Sequence, residues 1–473
     1  MLLYIILFIY CWILGFILYL NYNIVRLLTY FYFLSYFLIC LFLLLILNKS
    51  IIWYQIIYKF YTVDYLYISY IIGIDGISIS FILLSVFIIL FCFLIYWHLN
   101  YLFNFYSFLL FFSLWILINI FSSLDLFFFY IFFEGIVIPM FFLIGIWGSR
   151  KRKIYASYQF FIYTLLGSVF VLLIILSIYF NKGSSSFDFF LNMYYLSNRQ
   201  IIMVILLFLG FGVKVPIMPL HIWLPEAHVE APTPGSIILA SILLKLGTYA
   251  MIRLMITLIT TTPIDLIFFF LILSLFGFTY ASMTALNQID IKKIIAYSSV
   301  AHMNFSLLGF FSESLLGLSG VFFLMFGHAI TSGALFLSIG ILYDRYKTRL
   351  IFYYGSVIVF MPLFGLAMFL LILSNFGFPG TFNFVGEFLI LVGAFDYSNV
   401  VVFISSLGMI LTLIYSLTLY SKIFFGKFEL LFIRFYSECT RLEFFCLAIF
   451  CFFVLFFGLF PGYIFNINIW LYF

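Results

Sequence analysis

Six ionisable side chains lie inside long apolar runs, well away from the run ends: Glu134, Lys214, Lys245, His302, His328 and Glu387. A charge at the centre of a bilayer costs about 3 kcal/mol even on lenient scales, so such residues pair, or line water, or take part in transport. Opposite charges suggest that Glu134 pairs with Lys214. Pairing favours the ionised forms of both groups and desolvation disfavours them. Lys245 has no carboxylate near it in sequence. A lysine so placed titrates readily, and a proton relay is a row of groups that gain and lose a proton at modest cost. The alternatives are a structural ion pair for Glu134 and Lys214 and a hydrogen-bonded core position for each histidine.

Other chemistries find less support. His221 and His228 stand seven residues apart around a helix break, and no HxxH or Cys/His spacing suggests a metal site. No dinucleotide fingerprint, P-loop, haem ligand pair or iron–sulfur cysteine set is visible. Cys11, Cys40, Cys92, Cys439, Cys446 and Cys451 form no CxxC and fall mostly in apolar runs. Asp290, Lys292 and Lys293 read as interfacial charges. Glu226 and Glu230 flank the end of a span, either guarding an entrance or simply solvated.

The elements that must hold these groups follow from composition. The 473 residues are 67% hydrophobic and 8% charged, with mean hydropathy +1.30. A soluble domain carries about 25% charged residues, so a water-facing surface is excluded. The net charge of +5 forms no basic stripe, which argues against a nucleic-acid partner. Phe (71) and Tyr (36) are abundant, as A/T-biased codons of an organellar genome would produce.

The apolar runs predict an all-α polytopic membrane protein with about fourteen spans: 2–21, 27–48, 73–97, 101–122, 124–147, 153–180, 200–226, 233–256, 263–284, 291–311, 317–343, 351–396, 400–426 and 441–466. Continuous runs exclude a closed barrel, and helices satisfy their own backbone in lipid. The first run is too long for a signal peptide and reads as a retained span. Loops leaving odd-numbered spans hold fourteen Lys and Arg, and those leaving even-numbered spans hold five. That asymmetry places the first group on the positive side.

Two spans are interrupted. The seventh contains Val213-Lys214-Val215-Pro216-Ile217-Met218-Pro219 and the twelfth Asn375-Phe376-Gly377-Phe378-Pro379-Gly380. Proline deletes a backbone donor and kinks a helix. In lipid this is tolerated where freed carbonyls face protein or a water-filled cavity. The breaks lie five spans apart, which predicts two inverted five-helix repeats, spans 4–8 and 9–13. The expected domains are 1–100 (three N-terminal spans), 101–256 (first repeat), 263–426 (second repeat) and 427–473 (last span).

The run from Gly212 through Lys214 and Pro216 to Pro219-Leu220-His221-Ile222-Trp223-Leu224-Pro225-Glu226-Ala227-His228, with Leu243-Leu244-Lys245-Leu246-Gly247 and Ala296-Tyr297-Ser298-Ser299-Val300-Ala301-His302-Met303-Asn304, resembles the antiporter-like subunits of respiratory complex I. The resemblance covers about residues 73–430. It implies proton translocation coupled to electron transfer in other subunits. It also implies sister antiporter-like chains and other membrane-arm subunits as partners, with membrane lipids around them and the mitochondrial inner membrane as location. A bacterial plasma membrane is the alternative. NADH, FMN, iron–sulfur clusters and ubiquinone are expected in other subunits, with no cofactor in this chain. By motif, Glu134, Lys214 and Lys245 correspond to the family's buried glutamate and two lysines, and His302 and His328 to the intervening positions. Glu387 corresponds to the terminal group of the broken twelfth helix, where sister chains usually carry lysine. Two other readings stay open: a subunit of a multi-subunit sodium/proton antiporter and a purely structural membrane-arm subunit.

Overall fold

The apolar runs become helices whose starts are fixed by polar caps. The computed structural model describes residues 22–47, 54–63, 68–97, 101–187, 197–259, 262–426 and 437–465. Helix α1 covers Tyr22–Ile46. A hairpin follows, β1 (Ile56–Val63) paired antiparallel with β2 (Ile68–Ile74). This hairpin is a local addition to an otherwise helical chain: Ile, Tyr, Val and Thr suit a pleated surface. Asp75 then caps α2 (Gly76–Ile95) in a reciprocal box with Ser78.

Next come α3 (Phe103–Ser122), α4 (Leu126–Gly135), α5 (Val137–Trp147) and α6 (Lys153–Lys182). Helices α4 and α5 are one span, Leu126–Trp147, broken at Ile136. Pro139 has no N–H to offer the carbonyl of Gly135 four residues earlier, so the helix opens there. Sequence reading missed this third interruption, which lies two residues beyond Glu134.

The seventh span is α7 (Ser197–Lys214) and α8 (Trp223–Glu230). The eighth runs through α9 (Thr233–Ile238), a π turn at Leu239–Leu243, and α10 (Leu244–Leu254). The second half has α11 (Ile264–Leu286), α12 (Ile291–Phe311) and α13 (Leu315–Tyr346). The twelfth span is α14 (Pro362–Asn375) and α15 (Phe382–Tyr397), followed by α16 (Asn399–Phe424) and α17 (Arg441–Leu459). Among the described residues eleven helices are long and apolar enough to cross a membrane, and both expected breaks are present as helix pairs. The first expected span, 2–21, lies outside the described residues.

Helix α13 is the buried axis. Its small residues let α15 close on it: a Cβ at Gly320 would stand 2.9 Å from the Gly386 carbonyl, and one at Gly386 2.6 Å from Leu324 N. Outer helices keep apolar side chains exposed, such as Ile162, Leu166, Phe269, Phe276, Phe403 and Ile410. That is the surface a hydrocarbon solvent requires.

A buried row of ionisable groups

The break in the seventh span positions Lys214. Helix α7 ends at that lysine, and Pro216 takes a positive φ of 24°. The carbonyls released by the turn are claimed at once. Trp223 Nε1 donates to Val213 O at 2.9 Å, and Asn304 Nδ2 donates to Pro216 O at 3.2 Å. Lys214 Nζ donates to Phe133 O at 2.6 Å, lies 3.2 Å from the Phe133 ring centre, and stands 3.5 Å from Glu134 Oε1. The expected pairing is therefore present, and the kink after Glu134 brings the Phe133 carbonyl into the same contact.

Lys245 is fully buried. Its Nζ donates to Ala240 O at 2.5 Å. Ala240 lies in the π turn, whose wider backbone often marks a functional position in a helix. No carboxylate pairs with this ammonium among the described residues. Gly247 seats α10 against Val215, so the two lysines stand on touching elements.

The second half carries the other three groups. His302 and His328 face each other with ring centres 5.0 Å apart. His302 Nδ1 approaches Glu387 Oε1 at 3.4 Å, and the imidazole also meets Asn375 at the end of α14. Glu387 lies one turn into α15, with its carboxylate against Gly377 in the break. All three are almost wholly buried.

Several polar residues sit differently from the sequence reading. Lys292, expected at the interface, is buried and donates to Ala231 O at 2.9 Å, because the end of α8 offers it an open carbonyl. Arg253, expected in a loop, folds inward onto both oxygens of Asp75, at 2.7 and 2.6 Å. Glu230 is buried, whereas Glu226 is partly exposed and pairs with Lys293 at 3.1 Å. Sequence reading weighed His228 only as a metal ligand, yet it is fully buried and its ring stacks on Phe336 of α13. Its signal was its place two residues before Glu230 at the buried end of a broken helix. Among the described residues no group of three His, Cys, Asp or Glu is placed to hold a metal ion.

Broken helices around a buried charged row define an antiporter-like membrane subunit. Residues 123–414 match the family described as NADH:quinone oxidoreductase/Mrp antiporter, transmembrane. NADH-ubiquinone oxidoreductase chain 4 of Marchantia polymorpha is 46% identical over 395 residues, 83% of this chain and 80% of that one. The chain 4 protein of Chondrus crispus is 44% identical over 427 residues, 90% of this chain and 87% of that one. A chain in the structure of respiratory complex I from Thermus thermophilus with bound NADH superposes with TM-score 0.87 at 26% identity, covering 94% of each. This chain belongs to the family of NADH-ubiquinone oxidoreductase chain 4. It is thus an antiporter-like, proton-translocating membrane subunit.

Proposed function

We propose that the row Glu134, Lys214, Lys245, His328, His302, Glu387 is the path by which this subunit of an NADH:ubiquinone oxidoreductase moves protons. The observation that carries the reading is the contact series in the second half: ring centres of His328 and His302 at 5.0 Å, then His302 Nδ1 to Glu387 at 3.4 Å. Three ionisable groups in contact inside apolar helices are costly to bury, and such groups commonly mark proton pathways.

Electron transfer elsewhere in the complex perturbs the Glu134–Lys214 pair. At an effective dielectric of ~20, a unit charge ~4 Å away is worth about 4 kcal/mol, roughly a thousandfold in a protonation equilibrium. When the carboxylate swings away, Lys214 keeps only a carbonyl and an aromatic face. Its proton state then changes, and the altered field passes to Lys245. Lys245 is held by one neutral carbonyl and, among the described residues, by no fixed counter-charge, so it accepts and releases a proton without breaking an ion pair. The imidazoles carry the proton onward, and Glu387 at the second break releases it. These titrations are coupled and belong to the row as a whole.

In this reading residues 101–256 and 263–426 act as the two halves of the path, flanked by 1–100 and 427–473. Redox cofactors are carried by other subunits, sister antiporter-like chains and lipids surround the helices, and the eukaryotic relatives support a mitochondrial inner membrane. The test is Lys245→Ala in the assembled complex, with NADH oxidation and proton uptake followed together. Fewer protons moved per electron are expected. Electron transfer with an undiminished proton ratio would defeat the path.

A further inference from the structure

No hydrogen bond among the described residues holds the Glu387 oxygen that faces His302. Its Oε1 lies 3.4 Å from His302 Nδ1 and is otherwise unpartnered there. Where that oxygen stands therefore follows from where α15 stands. The start of α15 is not fixed from within. Thr381, just before its first turn, makes no side-chain cap, and its Oγ1 donates back to Phe378 O at 2.7 Å. Further along, α13 and α15 meet as glycine on backbone at Gly320 and Gly386. Such packing brings helices close without a directional bond to set their register.

One turn before Glu387 stands Asn383, fully buried. Side chains four apart on a helix share a face. Asn383 Nδ2 donates to Thr331 Oγ1 of α13 at 3.3 Å, and that hydroxyl donates to His328 O at 3.4 Å. Gly327 makes room for the amide: a Cβ there would stand 2.5 Å from Asn383 Oδ1 and 3.2 Å from Asn383 N. Asn383 Oδ1 has no partner among the described residues. Leucine would fill the slot without desolvating an amide, and a buried polar group with an unmet atom calls for an explanation.

We propose that Asn383 is a positioning residue whose bond to Thr331 fixes the half-helix α15 on α13 and thereby holds Glu387 at His302. This rests on the reading of the buried row. Thr331 follows His328 by three residues on α13, and Asn383 precedes Glu387 by four on α15. One hydrogen bond thus sets an imidazole-bearing helix and the carboxylate-bearing half-helix in register. Asn383 itself carries no proton. Misplacing reacting groups by about 1 Å can cost about a hundredfold in rate, so a single bond that sets register has a large effect on handover.

The test uses the assembled complex in sealed membrane vesicles, with NADH oxidation and proton uptake measured together. Thr331→Val keeps the shape of the side chain and removes its hydroxyl, and Asn383→Leu keeps bulk and removes the amide. In each, protons moved per electron fall toward the value of Glu387→Gln. The double variant loses no more than either single one, because both break the same bond. Thr331→Ser, which keeps the hydroxyl, keeps the normal ratio. If Asn383→Leu does not assemble, the Val and Ser variants of Thr331 decide the matter between them. An undiminished ratio in assembled Thr331→Val overturns the positioning role. So do additive losses in the double variant, or equal loss in Thr331→Ser and Thr331→Val, either of which assigns the effect to packing. If Glu387→Gln pumps normally, the row itself loses its outlet. If Glu387→Gln fails while Thr331→Val pumps, only the positioning role falls.

Discussion

Gly247 on α10 lies against Val215, the residue after Lys214, so closely that a Cβ on the glycine would stand 2.5 Å from Val215 Cγ2 and 3.1 Å from its backbone nitrogen. The backbone nitrogen cannot yield as a flexible side chain can. Gly247→Ala therefore pushes the broken seventh span away from the helix of Lys245. Overpacking of this kind costs about 1–3 kcal/mol, too little to abolish assembly. The expected result is a complex with slower coupled proton uptake at normal NADH oxidation, measured in the same vesicles. Unchanged pumping would show that the spacing of the two lysines does not matter.

Glu134→Gln removes charge and keeps shape. Lys214 retains the Phe133 carbonyl and ring but loses about 4 kcal/mol of local field. Proton uptake per electron should drop, while the amount of assembled complex stays close to normal. A large assembly defect with unaltered coupling in the surviving complex would instead mark the pair as structural.

At Gly377 the backbone has φ +69°, and a side chain there would meet the Glu387 carboxylate. Gly377→Ala adds about 1–2 kcal/mol of left-handed strain and displaces the carboxylate from His302. The variant should lose coupling as Glu387→Gln does. If Glu387→Gln loses coupling and Gly377→Ala does not, the position of the carboxylate against His302 is unimportant.

Arg253 and Asp75 form a buried pair apart from the row, with side chains 14% and 6% exposed. Removing one partner of a buried pair costs about 3–5 kcal/mol. Asp75→Asn should lower the amount of assembled complex on native gels, because Arg253 loses its counter-charge while asparagine still caps α2. The complex that does assemble should move protons per electron at the normal ratio. A changed ratio would place the pair in the transport path.

Local chemistry made much of this architecture legible. Pro216, Pro219 and the Gly377-Phe378-Pro379-Gly380 run announced both long breaks, because proline and glycine act within a turn of their position. Glu134 and Lys214 were pairable from charge and depth alone. Pro139 was harder to read, since a lone proline in a continuous apolar run looks like an ordinary kinked span. The π turn before Lys245 has no sequence signature. Arg253 and Asp75 meet across 178 residues, and the Ala231 carbonyl lies 61 residues from Lys292. Contacts of that range depend on how helices cross, which hydrophobic periodicity does not encode.

Asn304 follows His302 by two residues on α12, and its amide grips the Pro216 carbonyl in the opposite half of the molecule. One hinge is thereby tethered to the other half's imidazole-bearing rod. A shift of the Pro216 turn must either break that tether or drag the rod with it, so the turn and α12 are geared mechanically.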